Sequence, residues 1–109
     1  MKLSNAQIFD LASTLESLME RTLPVKLAFQ LSRIYLTLES HRRSIALVIQ
    51  KLPKNAEGVP EEDAFRELLE IVNEVAINPI ESDFLFEALD SITPREAMAL
   101  LPIMKEGGQ

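Results

Sequence analysis

Cysteine is absent from this 109-residue sequence, which removes disulfides, thiolate zinc sites and a cysteine nucleophile from consideration. Histidine occurs once, at His41. No pair of imidazoles can therefore share a metal, and a nucleophile would have to be Ser, Thr or Lys activated by some other group. Of the three glycines, two stand at Gly107 and Gly108, so no phosphate-cradling loop is available. No apolar run nears the ~18 residues that span a bilayer, and the opening MKLSNAQIFD lacks the apolar centre of a signal peptide. A cytoplasmic protein with no membrane contact and no cofactor is the expectation. Basic residues are outnumbered, with 11 Lys and Arg against 17 Asp and Glu and a formal net charge of −6. Nucleic acid is not an expected partner, because binding to phosphates rests on clustered Lys and Arg displacing counterions. The one basic cluster, His41-Arg42-Arg43, reads as a solvated helix patch.

Hydrophobic residues make up 47% and charged residues 26% of the chain, a balance that suits one globular domain over residues 1–109. Its organising stretch is residues 24–52, which reads as one long helix of about 40 Å. At 100° per residue, Leu27, Leu31, Ile34, Leu38, Ile45, Ile49 and Leu52 form a stripe flanked by Tyr35 and Val48. His41 and Arg42 interrupt that stripe. A second apolar row, Val25, Phe29, Leu36 and Leu47, lies on the opposite side, where a surface helix carries polar residues. Cover on both sides is expected, from the chain's own C-terminal half or from a second subunit. Part of the helix is expected to project.

A first helix is predicted over residues 5–20. Ser4 and Gln7 have the spacing of a capping box, and Leu3 and Ile8 that of a hydrophobic staple. Ile8, Leu11, Ala12, Leu15 and Met19 form its single apolar stripe. The link from Glu20 to Leu23, with Pro24 suited to the first helical position, predicts an antiparallel hairpin. In that hairpin the first helix covers the N-terminal half of the long one, and His41 to Leu52 needs other cover.

Residues 53–60, bracketed by Pro53 and Pro60, form a loop. A helix over 61–72 follows, with Glu61, Glu62 and Asp63 where a helix dipole favours acids and Phe65, Leu68, Leu69 and Val72 on one side. Residues 74–80 read as an extended segment in which Val75, Ile77 and Ile80 alternate with polar positions, although Ile71, Val72 and Val75 also continue a helical spacing. A turn or short helix is expected at 83–89, with Phe84, Phe86 and Leu89 packing. Thr93, Pro94 and Glu96 open a last helix over 94–104 with a capping box. Its predicted apolar side is Ala97, Met98, Leu101 and Met104, with Leu100 and Ile103 beside it. Pro102 bends or ends that helix, Met98 and Met104 read as core filling, and residues 107–109 as a frayed end. The expected fold is mainly α: a helical hairpin with one long central helix, and a C-terminal unit with a short extended segment and a terminal helix.

Three stretches carry a resemblance. MKLSNAQIFDLASTLESLMERTLPVKLAFQLSRI resembles the opening of a group of small bacteriophage and prophage proteins of unknown function, with a short capped helix, a Leu-Pro junction and a long helix. NEVAINPI is similar to the group's extended segment of alternating Val and Ile, and ITPREAMALLPIMKE to its closing helix. Asn78-Pro79 departs from the pattern. The resemblance implies a bacterial host and an accessory protein that binds another macromolecule, a phage or host protein. It brings no catalytic residues.

The residues support the same direction. A catalytic imidazole needs an orienting group and a pocket, so His41 in an apolar stripe reads as packed or partner-contacting. The leading expectation is a non-enzymatic, protein-binding accessory protein that forms a homodimer. Its candidate surface is Val25, Phe29, Leu36, His41, Leu47, Val48 and Ile49. The alternative is an acidic inhibitor or modulator of a host enzyme or defence complex. A small enzyme built on His41 and the abundant carboxylates ranks third.

Overall fold

The computed structural model describes residues 1–89 and 91–105. The expected frayed end at 107–109 lies outside them. The order of elements is β1 (Lys2–Ser4), α1 (Asn5–Met19), α2 (Val25–Ile49), α3 (Glu62–Glu70), β2 (Val72–Glu74), β3 (Ile80–Glu81), α4 (Ser82–Ala88), α5 (Pro94–Leu100), a 3-10 turn (Leu101–Ile103) and β4 (Met104–Lys105). The fold is mainly α, with one long central helix. The molecule is elongated, 50 × 28 × 23 Å.

α1 begins as its residues dictate. The Ser4 hydroxyl accepts from the Gln7 amide at 3.1 Å, and the Ser4 amide donates to Gln7 Oε1 at 2.8 Å, so two N–H groups that the first turn leaves unpaired are satisfied. The stripe Ile8, Leu11, Ala12 and Leu15 is buried completely, and Leu18 joins it while Met19 is only half-buried. On α2 the buried residues are Leu27, Leu31, Ile34, Leu38 and Ile45, all from the expected stripe. Burying one such side chain contributes about 1.5–3 kcal/mol. Pro24 is the N-cap rather than the first helical residue, with ψ 141°. Its carbonyl accepts from Ala28 at 2.9 Å. Beyond Ile49 the chain closes single turns at Lys51 and Leu52, so the helix proper stops three residues earlier than expected.

The two helices pair in a different register from the one the short link suggests. Glu16 meets Tyr35 and Arg42, and Ala6 and Phe9 lie beside Ile49, so α1 covers the C-terminal half of α2 rather than the N-terminal half. The link is long enough for this: residues 20–24, extended, reach about 16 Å, which carries the chain back along α2 before it starts. The C-terminal unit covers the other end. Ala76 to Pro79 line a cleft against Gln30, Arg33, Ile34 and Thr37, and the Lys26 ammonium sits 5.2 Å from the centre of the Phe84 ring.

The loop after α2 is closed on itself. Asn55 Oδ1 accepts from the amides of Glu57 and Val59 at 2.9 and 3.1 Å, Lys54 and Pro60 form a bridge, and Gly58 takes φ 80°, a conformation that favours glycine. α3 then ends at Glu70, two residues short of the expected boundary, because Asn5 captures its last carbonyls. The Asn5 side-chain amide donates to the Leu68 carbonyl at 2.7 Å and its backbone amide to Ile71 at 2.9 Å. The start of α1 and the end of α3 thereby satisfy each other's unpaired groups.

This contact sets up a strand pair that the sequence pattern did not show. β1 runs antiparallel to β2, with Lys2 opposite Glu74, Leu3 opposite Asn73 and Ser4 opposite Val72. The extended segment expected at 74–80 is thus strand at 72–74 and at 80–81, with irregular chain between. Within it Val75, Ile77 and Ile80 are buried while Glu74, Ala76 and Asn78 are exposed. The step from Ile77 to Ile80 spans three residues because Asn78-Pro79 breaks the alternation.

At the C-terminal end Thr93 caps α5 as expected, its hydroxyl accepting from the Glu96 amide at 3.1 Å. The helix is shorter than predicted and its buried side is rotated. Leu100 and Ile103 are wholly buried, whereas Met98 and Leu101 are 70% and 61% exposed. Pro102 converts the last turn to 3-10 geometry, and β4 then pairs in parallel with β3. Met98 therefore is not core filling. In α4 the wholly buried residue is Leu85; Phe86 is exposed.

Candidate functional site

The second row of α2 is uncovered in the single chain. Val25, Phe29, Leu36 and Leu47 are 87%, 62%, 67% and 60% exposed. Successive members lie within about 40° of one another around the helix, and the row spans about 33 Å. Arg33 leans over the Phe29 ring at 5.8 Å from its centre. Arg43, on the same face, is exposed and reaches back to Glu39 at 3.6 Å. This helix is the chain's basic element: Val25–Ile49 holds four of the eleven Lys and Arg and one of the seventeen Asp and Glu.

Three residues of the expected surface sit elsewhere. Ile49 is half-buried and packed against the core, in an apolar groove with Ala6 and Phe9 of α1 and Phe65 and Leu69 of α3. Its spacing places it on the core stripe, and α1's register covers it. His41 is half-buried at the boundary of that stripe, not on the outward row. Val48 is exposed but turned to the flank of the helix. The half from His41 to Leu52, expected to need cover from elsewhere than the first helix, has Ile45 buried and Ile49 and Leu52 packed on the core. The cover expected on both flanks exists on one.

The core side of α2 is fastened by a polar node missed in the sequence. Glu16 on α1 accepts from the Tyr35 hydroxyl at 2.6 Å and from Arg42 at 2.6 Å, and Arg42 also pairs with Glu39. The Tyr35 hydrogen bond, followed by Arg42, holds the Glu16 carboxyl below its ordinary value of 4.5, and the same bond to Glu16 raises the Tyr35 hydroxyl. Arg42, the apparent interruption of the stripe, is the residue that reaches across to α1. A second node joins the link to α5: Arg21 donates to Glu96 at 3.1 and 3.2 Å and to the Ser91 carbonyl at 2.6 Å. Glu96 is held below 4.5 by its hydrogen bond from the Thr93 amide, with Arg21 adding to it.

Both carboxyls have folded-state values below the unfolded one, so they stabilise the fold above about pH 4.5 and that contribution is lost as pH falls through the depressed values. Urea midpoints measured from pH 7 down to pH 3 are expected to drop below pH 4.5. The drop should be shallower in Glu96→Gln, which has no charge there to lose. An equal slope in both proteins would remove Glu96 from the account.

Three surface clefts offer no assembled chemistry. The first joins Gln30, Arg33 and Thr37 to Asn78; the second lies between Asp10 and Thr14 on α1 and Arg95 and Met98 on α5; the third is the apolar groove beside Ile49. None is lined by His41, and none brings two carboxylates together. Among the described residues no group of three His, Cys, Asp or Glu is placed to hold a metal ion, and no helix is long and apolar enough to cross a membrane. Compared with protein families, with curated proteins and with solved structures, the chain matches none.

Proposed function

We propose that this chain is a non-enzymatic, protein-binding accessory protein of phage or prophage type, acting as a homodimer in the cytoplasm of a bacterial host. The observation that carries the reading is the row Val25, Phe29, Leu36 and Leu47, left open along the longest helix. Large apolar side chains exposed along one face of a helix favour burial by a partner, and such faces mark interfaces. The phage-type assignment rests on the three motif stretches.

Light scattering is expected to give twice the chain mass at tens of micromolar and a falling mass on dilution. Leu36→Asp should be monomeric throughout. A wild-type monomer over the whole range would end the homodimer reading.

One observation favours a second reading. Glu61, Glu62, Asp63, Glu67 and Glu70 are all exposed on and beside α3, an acidic face remote in character from α2. This face suits an inhibitor or modulator opposing a basic groove of a host enzyme or defence complex, and such binding would weaken with salt.

A further inference from the structure

We draw no further inference here: the strongest candidate, the exposed apolar row Val25, Phe29, Leu36 and Leu47 along the outward face of α2, carries nothing beyond the reading above, because nothing in the structure shows what covers it.

Discussion

Leu31→Ala is expected to lower the free energy of unfolding by about 2–5 kcal/mol, the range for deleting a buried leucine side chain and leaving a void behind. Leu31 has no exposed surface, and it sits on α2 between the two regions of cover, α1 on one side and the C-terminal unit on the other. Neither can collapse into the space without losing its own register, so the upper half of the range is the better expectation. The comparison is Leu36→Ala, five residues along the same helix and 67% exposed. It removes the same atoms with the same helix propensity, and its effect should stay within about 0.5 kcal/mol. Urea denaturation of both variants at a concentration where the chain is monomeric checks the pair. A Leu31→Ala change under half a kcal/mol would show that the stripe is not the core.

Asn5→Ala is expected to cost about 2–3 kcal/mol. Asn5 is 3% exposed, and its side chain donates to the Leu68 carbonyl and accepts from Asn73, each at 2.7 Å. Truncation leaves the Leu68 carbonyl with only the 3.3 Å bond from the Ile71 amide and the Asn73 side-chain amide with only its 3.3 Å bond to the Leu3 carbonyl, and losing well-made bonds at a buried site costs about 1–3 kcal/mol. The damage should be local as well as global, because the same residue holds β1 against the end of α3. Hydrogen exchange is expected to show the amides of Leu3 and Val75 opening before those of α2. Asn73→Ala, at a half-buried position, should cost less. If the two variants were equal, the loss would come from strand pairing and not from the capture of α3's end.

What could be read ahead of the structure was the local chemistry. Both capping boxes, Ser4 with Gln7 and Thr93 with Glu96, are statements about residues three apart, and both formed. The α2 stripe was legible for the same reason: the period of a helix is imposed by its own backbone. The misses are non-local. β1, β2, β3 and β4 are two or three residues long, too short to show an alternation, and each exists because a distant segment offers it unpaired groups. The α1–α2 register could not be deduced from the link, since five residues fix only how far the chain can reach.

The last helix was misread because Leu100 and Ile103 stand three residues apart just as Met98 and Leu101 do, so spacing alone does not say which of the two rows meets the core. The outward row of the candidate site was visible as a second stripe opposite the first. Ile49 was included in error although its spacing belongs to the core side. The Glu16–Tyr35–Arg42 node was missed because Glu16 looks like any surface carboxylate until α1 is laid on α2.

The pairing of Lys2–Ser4 with Val72–Glu74 also sets an order of events during synthesis. A ribosome adding ~5–20 residues per second takes roughly 4–14 s to travel from one strand to the other. For that interval the opening strand is made but has no neighbour, and the first helix can form only with its leading end untethered. The nascent chain is thus most exposed to proteases and to wrong strand partners early, and a stall before residue 75 would leave its opening residues unlatched.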